Sequence, residues 1–406
     1  MNPKIQKAWD TGLNILKPGE KELAHGLELH KNSLVVESYG FTPLAPLRGE
    51  GLYEKFKNAH PSEYKLIESD ARSLRCIDNP EDLAEFKEAW DTAGVTCVIT
   101  NSGGGSPASM LKRMACRTHL TDMMKDFIVK AVSADDILQV KKTGKHSIMF
   151  TTNGIPLPMD LKSAEDELSL IKLFYQFGIR MMHLTYNRHN LLGDGCAEKN
   201  NSGLTDFGKV VINEMNKTGI LVDVAHSGWQ TSLEAARASS VPVVASHSGC
   251  ASVNSHCRSK PDEVIRAIAD TGGFIGICCI PAFLGKTGDI NSLLDHIDYA
   301  AEKFGVDHLA IGTDVIYSSG IPDDERITAI LKNSKDRPRF DYFWSSDDAL
   351  FDQRWKQKDM LQSLEWTNFP LFTVGLVQRG YSDSDIQKII GGNVLRVLKA
   401  VETRKV

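Results

Sequence analysis

Three residues of this 406-residue chain, His226, His247 and Asp314, combine the side-chain types of a zinc site. Each stands at the end of a short apolar run, in LVDVAH, VVASH and AIGTD. Neutral imidazole nitrogens and a carboxylate suit zinc, and a site with three protein ligands leaves a position open for water, whose pKa the metal lowers. A lone histidine at a strand end is more often an ordinary hydrogen-bonded residue. The prediction of a metallohydrolase-type site therefore depends on all three recurring at equivalent places.

Eight apolar, β-branched runs are predicted strands that could position these residues. Helical stretches separate the runs along the chain. The runs cover residues 33–38, 95–100, 148–153, 179–184, 220–226, 242–247, 273–279 and 308–314. Alternating strands and helices indicate a parallel α/β sheet, and the number eight favours a (β/α)8 TIM-type barrel of the metal-dependent hydrolase kind. Active sites of such barrels lie at the carboxyl ends of the strands, where the three residues fall. An open doubly wound sheet is the alternative, but no Gly-x-Gly-x-x-Gly follows the first strand.

Length and composition favour one barrel domain over residues 1–406, with insertions at about 40–83 and 315–366 that could serve as lids or subunit contacts. A hydrophobic content of 42% and a charged content of 24% predict a soluble globular protein. A net charge of -5, with scattered Lys and Arg, gives no support for binding nucleic acid. Eight dispersed cysteines, with no secretory signal or long apolar segment, predict a cytoplasmic protein with reduced thiols and no membrane span.

Other histidines and cysteines could also bind metal. One cluster resembles a structural zinc site and consists of His247, Cys250, His256 and Cys257. Its spacing matches no regular zinc finger, and His247 is already accounted for by its strand, so this alternative is the weaker one. His183 lies inside the fourth predicted strand and is interpreted as a packing residue, whereas His189 lies on a loop and is left open.

A series of motifs then occurs in a fixed order along the chain. The motifs are GIRMMHLTYN at 178–187, GLTDFG at 203–208, LVDVAH at 221–226, ASHS at 245–248, IGTD at 311–314 and GGN at 391–393. This series resembles the membrane (renal) dipeptidase family of metallopeptidases, over nearly the whole chain. The resemblance implies a barrel with a two-metal zinc site, a homodimer, and cleavage of dipeptides, often with tolerance for a D-residue at the C-terminal position.

The resemblance also implies roles for single residues. His226 and His247 match the two histidines of one metal site. Asp314 matches the carboxylate that binds the other metal and handles the proton of the attacking water. Arg258 matches the cation that binds the free carboxylate of the substrate, a task that suits a guanidinium group. Without the family, a surface arginine paired with Asp262 is an equal alternative.

Several family residues are replaced in this chain. Tyr39 and Phe41 stand where relatives carry a His-x-Asp pair after the first strand, Asn153 replaces the bridging Glu, and Tyr186 replaces a His that faces the reacting carbonyl. Neither aromatic ring is a hard-metal ligand, and a neutral amide oxygen bridges two dications poorly. We therefore expect one zinc ion rather than two. Glu37 is expected to support the site rather than to replace the lost ligands.

The first hypothesis is a hydrolase with one metal held by His226 and His247, with Asp314 as third ligand or general base. The metal would activate water against the C–N bond of a dipeptide or related small amide that carries a free carboxylate. Tyr186 or Asn153 would orient the oxyanion by hydrogen bonding.

Arg258 and Tyr39 complete the predicted site as substrate-binding residues. A second hypothesis is a metal-free or non-hydrolytic enzyme in which Tyr39, Tyr186 and Asp314 perform acid–base chemistry on a small amine or modified amino acid. A third is an inactive homologue that only binds a ligand. The retention of buried ligand groups, which cost desolvation, argues against the third.

Overall fold

A computed structural model of the chain describes residues 1–160, 163–333 and 343–402. Its ten strands form one sheet in which all pairs are parallel. The strands are β1 (Val36–Gly40), β2 (Cys97–Gly104), β3 (Ile128–Lys130), β4 (His146–Asn153), β5 (Ile179–His183), β6 (Leu221–Asp223), β7 (Val243–Cys250), β8 (Ser259–Lys260), β9 (Phe274–Ile277) and β10 (Leu309–Ile311).

Eight of these strands form a nearly closed barrel in the order β1-β2-β4-β5-β6-β7-β9-β10. The last strand returns to the first, because the backbone N–H of Asp314 donates to the carbonyl of Tyr39 over 3.3 Å. The predicted α/β barrel is therefore confirmed. Five of the eight strands are shorter than the predicted runs, as in β1, which begins at Val36, and β10, which ends at Ile311, whereas β2, β4 and β7 are longer.

Two short strands were not predicted. β3 pairs with the start of β4, and β8 pairs with the end of β7. Neither has more than three residues, so neither shows the length of apolar periodicity that marks a strand in a sequence.

Helices surround the barrel and cover its outer face. They are α1 (Pro3–Leu16), α2 (Glu20–Asn32), α3 (Glu50–Asn58), α4 (Tyr64–Asp78), α5 (Pro80–Ala93), α6 (Pro107–Met123), α7 (Ala134–Thr143), α8 (Ala164–Gln176), α9 (Asp206–Thr218), α10 (Trp229–Ala238), α11 (Asp262–Asp270), α12 (Pro281–Leu284), α13 (Ile290–Phe304), α14 (Glu325–Asn333), α15 (Lys358–Ser363), α16 (Phe369–Gln378), α17 (Asp383–Gln387) and α18 (Asn393–Glu402). Among the described residues, no helix has both the length and the apolar character needed to cross a bilayer.

The two predicted insertions pack on each other. The first is largely helical and contains α3 and α4, and the second contains α14. Leu47 and Phe56 of the first share a small apolar core with Ile327 of the second. Residues 334–342 of the second insertion lie outside the described part of the chain. The contact between the insertions covers one flank of the barrel near the end of β1.

The barrel interior is narrow where two glycines flank a buried hydrogen bond. Ser38 on β1 donates through Oγ to the carbonyl of Ser246 on β7 over 2.7 Å. A Cβ atom at Gly276 or at Gly312 would lie 2.0 or 2.1 Å from that carbonyl oxygen, and 2.6 Å from Ser38 Oγ. Any side chain at these two positions would therefore push apart strands that carry the candidate site.

Gly276→Ala should lower the free energy of unfolding by about 2 kcal/mol or more, because the added methyl group overlaps backbone atoms that have no room to move. The measurement is the midpoint of chemical denaturation. Gly51→Ala is the control, since a Cβ there meets no atom within 4 Å and alanine favours a helix. Equal destabilisation by the two substitutions would contradict this account of the barrel interior.

Candidate metal centre

Three buried histidines meet at the carboxyl end of the barrel. His183 ends β5, His226 follows β6, and His247 lies in β7. One ring nitrogen from each falls within 4.8 Å of the other two. The Nε2 atoms of His226 and His247 are 2.9 Å apart, and the His183 ring centroid lies 5.4 Å from each of the other rings. The structure therefore brings the two predicted metal ligands together and adds His183, which was interpreted from the sequence as a packing residue.

Each imidazole is fixed through its Nδ1 atom. The contacts run from His183 to the Thr152 carbonyl (2.9 Å), from His226 to Asn187 Oδ1 (2.6 Å) and from His247 to Ser246 Oγ (2.8 Å). A carbonyl oxygen only accepts, so His183 carries a proton on Nδ1. Ser246 gives its own hydroxyl proton to Asp223 and therefore accepts from His247. In the neutral form of each ring, these partners place the proton on Nδ1 and leave Nε2 without one.

Burial keeps two of the rings uncharged. It lowers the pKa of His226 and of His247 well below the ordinary value, and the nearby charge of Arg258 lowers both further. Two unprotonated nitrogens that face each other at 2.9 Å repel unless a positive group lies beside them. Arg258 supplies one such group, since its Nη2 donates to Nε2 of His226 over 3.4 Å.

The donor set fits one transition-metal ion. Neutral imidazole with a free Nε2 lone pair is the form that binds zinc, and two nitrogens on one tetrahedral zinc lie about 3.3 Å apart. The separation between His226 and His247 is close to that value. Hydrogen bonds at the opposite ring nitrogen, as found here, are what orients metal-binding histidines in proteins.

The residues at the expected position of a second metal ion do not suit metal binding. The ring of Tyr39 stacks on His247 with centroids 3.9 Å apart, and Phe41 contacts Tyr39 edge-on at 5.6 Å. The Tyr39 hydroxyl donates to Oδ1 of Asn153 over 2.9 Å. Aromatic rings and a hydrogen-bonded amide therefore occupy the places where relatives are expected to carry an imidazole and carboxylates.

Arg258 is fully buried beside the histidines. Its guanidinium donates to the carbonyl of Ala225 and, over 3.0 Å, to the carbonyl of His247. No carboxylate in the described ranges lies within 4.0 Å of it, and Asp262 instead accepts a hydrogen bond from Tyr299 at 2.8 Å. The alternative of a surface pair with Asp262 is therefore wrong. A buried guanidinium without a bound anion is suited to a carboxylate ligand.

Asp314 follows β10 with φ of 56°, a left-handed conformation that is uncommon for residues other than glycine. Burial raises the pKa of its carboxyl to about 6, against the opposing effect of the nearby Arg258 charge. Glu37 holds the adjacent segment by accepting from the backbone N–H of Thr313 over 3.1 Å and from Nε1 of Trp366 over 2.9 Å. Glu37 therefore acts as a supporting residue, whereas the carboxylate of Asp314 is not among the donor atoms that lie within 4.8 Å of one another in the histidine cluster.

Tyr186 covers the other side of the cluster. Its ring stacks on His226 with centroids 4.2 Å apart, and Phe343 of the second insertion contacts Tyr186 edge-on at 5.5 Å. Burial raises the pKa of Tyr186 to about 12, so its hydroxyl stays protonated and can donate a hydrogen bond. The first described residues after the gap at 334–342 thus contact the site.

The alternative zinc cluster is divided between two places. His247 belongs to the histidine cluster, while His256 and Cys257 group with Asp348. The backbone N–H of Arg258 donates to Nδ1 of His256 over 3.1 Å, so His256 carries its proton on Nε2, which faces Asp348 at 3.2 Å. Both nitrogens of His256 are satisfied by protein groups, which removes it as a free donor.

A sequence model of the family described as membrane dipeptidase (peptidase family M19) matches residues 74–334 and 359–406. The chain belongs to this family. The resemblance seen in the motifs is thereby confirmed. Among curated family proteins, it is similar to dipeptidase tcpJ of Claviceps purpurea, with 25% identity over 70% of this chain and 57% of that protein. Dipeptidase verJ of Clonostachys rogersoniana is 26% identical over 70% and 62%. The chain thus spans about six-tenths of the length of these relatives.

Solved structures share the fold of the family. An amidohydrolase from Pseudomonas aeruginosa is similar with a TM-score of 0.64 and 24% identity, over 93% of this chain and 98% of that one. A metallopeptidase from Rhodobacter sphaeroides, liganded with a phosphinate mimic of the dipeptide L-Ala-D-Ala, is similar with a TM-score of 0.62 and 16% identity, over 91% and 99%. At these identities the likeness concerns the fold.

Ser246→Ala should weaken zinc binding about 10- to 100-fold, because it removes the acceptor that fixes the tautomer and orientation of His247. Competition with a chromophoric chelator measures the affinity. Ser248→Ala is the matched control, since it removes from the same strand a buried hydroxyl that makes a long hydrogen bond, 3.5 Å, to the Ala225 carbonyl. Equal affinities in the two variants would show that Ser246 does not position the site.

Proposed function

We propose that this protein is a metal-dependent hydrolase that cleaves the C–N bond of a dipeptide, or of a related small amide with a free carboxylate, using one zinc ion at His226 and His247. The observation that carries the proposal is the pair of facing, unprotonated Nε2 atoms beside the buried cation of Arg258. Membership of the membrane dipeptidase family supports it. The names of the curated relatives, and the dipeptide mimic bound to the Rhodobacter sphaeroides metallopeptidase, support the substrate class.

A zinc ion in this place supplies a Lewis acid that polarises a carbonyl and lowers the pKa of water. The protein residues supply the remaining functions. Arg258 binds the substrate carboxylate and so fixes the distance between that group and the scissile bond. Asp314 lies across the site and accepts the proton of the attacking water, then delivers it to the leaving amine.

Two groups can stabilise the oxyanion that develops on the carbonyl. The protonated hydroxyl of Tyr186 is one donor. Asn153 is the other, because its Oδ1 is used by the Tyr39 hydroxyl and its amide N–H groups remain as donors. In this arrangement Tyr39 reaches the substrate through its ring and orients Asn153 through its hydroxyl.

A homodimer and a cytoplasmic location remain predictions from the sequence, as does the absence of a nucleic-acid partner. All eight cysteines fall within the described residues and are free thiols, seven of them buried. Light scattering of the purified chain measures the oligomeric state. A mass close to twice 44.9 kDa is expected.

With zinc present, the protein should hydrolyse L,L- and L,D-dipeptides but not their C-terminal amides, because Arg258 requires a carboxylate. Arg258→Lys should lower kcat/KM about 10- to 100-fold, since an ammonium cannot form the paired hydrogen bonds of a guanidinium. Arg266→Lys, on the exposed face of α11, is the control and should leave kcat/KM unchanged. Equal rates for the acids and their amides, or no hydrolysis of any dipeptide, would count against the proposal.

Asp314→Asn distinguishes the two roles left open for this carboxylate. If Asp314 is the general base, kcat should fall about 100- to 10,000-fold while bound zinc stays at the wild-type level. Elemental analysis and steady-state kinetics on the same preparation measure both quantities. A loss of zinc in parallel with kcat would instead make Asp314 a ligand.

A further inference from the structure

His183 has a ring nitrogen whose hydrogen-bonding capacity is unused. The residue is completely buried, and its Nδ1 is bound to the Thr152 carbonyl. Its Nε2 lies 2.9 Å from Oδ2 of Asp223, but no hydrogen bond with acceptable geometry forms there or to any other described group. A buried nitrogen left in this state carries a desolvation cost that no hydrogen bond offsets. Such a cost is unusual inside a barrel where the other two histidines are fully anchored.

We infer that His183 is the third protein ligand of a single zinc ion, which it holds together with Nε2 of His226 and Nε2 of His247. This inference rests on the metal dependence in the proposed function. It differs in giving the zinc ion three histidine ligands instead of two. Three neutral imidazoles, each fixed at Nδ1 by an acceptor, form the ligand set of several catalytic zinc sites and leave a fourth position open.

Asp223 supports the inferred site through its charge and does not bind the metal ion. Its carboxylate accepts the backbone N–H of Ala225 over 2.9 Å and that of Ser246 over 3.1 Å, and it also accepts the Ser246 hydroxyl. These donors hold the charged form in a buried position next to His183. Its negative charge offsets the repulsion that a metal ion and the guanidinium of Arg258 would otherwise exert on each other.

In this chain Tyr39 and Asn153 fill the position expected for a second metal ion. In the three-histidine site Asp314 is not needed as a ligand. It is left free to move protons, which is the role given to it above. The chain thus replaces lost carboxylate ligands with an imidazole on a neighbouring strand.

A plain ion pair between His183 and Asp223 is the competing explanation. It requires a doubly protonated imidazole with an N–H directed at the carboxylate. The 2.9 Å contact lacks the angle of a hydrogen bond, so Asp223 does not engage the Nε2 atom fully and leaves it able to bind a metal ion. The two explanations differ in what a bound metal ion contacts.

The test is X-ray absorption at the zinc edge on the wild-type protein loaded with zinc alone, together with elemental analysis. We expect one zinc per chain, bound to three imidazoles. Two zinc ions per chain, two imidazoles on the one ion, or no bound zinc would each overturn the inference. This measurement needs no variant, so it does not depend on the folding of a mutant.

His183→Phe provides the second readout. It should weaken zinc affinity about 100-fold or more and reduce the imidazole count to two. His146→Phe is the matched control, because His146 is also buried on a barrel strand but lies at the opposite, amino end, bound to the Val95 carbonyl at 2.7 Å. If zinc affinity were unchanged in His183→Phe, the ion pair with Asp223 would be the explanation that stands.

The two proposals can fail separately. A three-imidazole zinc site in a protein that hydrolyses no dipeptide would refute the proposed function and keep the site. If the protein hydrolyses dipeptides but His183→Phe changes neither the zinc affinity nor the imidazole count, the three-histidine site is refuted and the proposed function stands.

Discussion

The position of the imidazole protons is the constraint on which the candidate site depends. Acceptors on Thr152, Asn187 and Ser246 hold the Nδ1–H groups, and burial prevents two of the rings from charging. Unprotonated nitrogens must then face one another inside a barrel that excludes water. Such an arrangement is stable only with a cation beside it. The cluster is therefore built for a positive group, of which Arg258 is one.

This constraint also explains why the aromatic replacements form a consistent set. Tyr39 stacks on His247 and Tyr186 stacks on His226. Each tyrosine ring thereby holds one imidazole in the orientation that its Nδ1 partner requires. The Tyr39 hydroxyl is satisfied by Asn153, another replaced position. Substitutions that would each disrupt a two-metal site thus pack together beside the histidine cluster, which is consistent with the one-metal site proposed here.

Much of this could be predicted from the sequence, because the barrel depends on local patterns. Runs ending in His226 and Asp314 marked the places where β6 and β10 end, whereas β7 continues for three residues beyond His247. In a parallel barrel all carboxyl ends of strands share one face. His183 was missed because its apolar run continues through Leu184, so the histidine looked like one more interior position. Its side chain enters the site only because of the register of β5 with β6, in which His183 lies beside Asp223. Register between strands is a property of the sheet and cannot be found in either strand alone.

Arg258 shows how the site relates to its substrate. Its charge is completely buried, its Nε atom has no partner among the described groups, and its other hydrogen bonds go to neutral carbonyls and to Nε2 of His226. A buried cation is costly unless an anion joins it, and removal of a partner from such a pair is strongly destabilising. Asp223 and Asp314 lie close but are occupied by hydrogen bonds or by the proton chemistry assigned to them. In the proposed function, the carboxylate of a substrate would supply the missing negative charge beside Arg258.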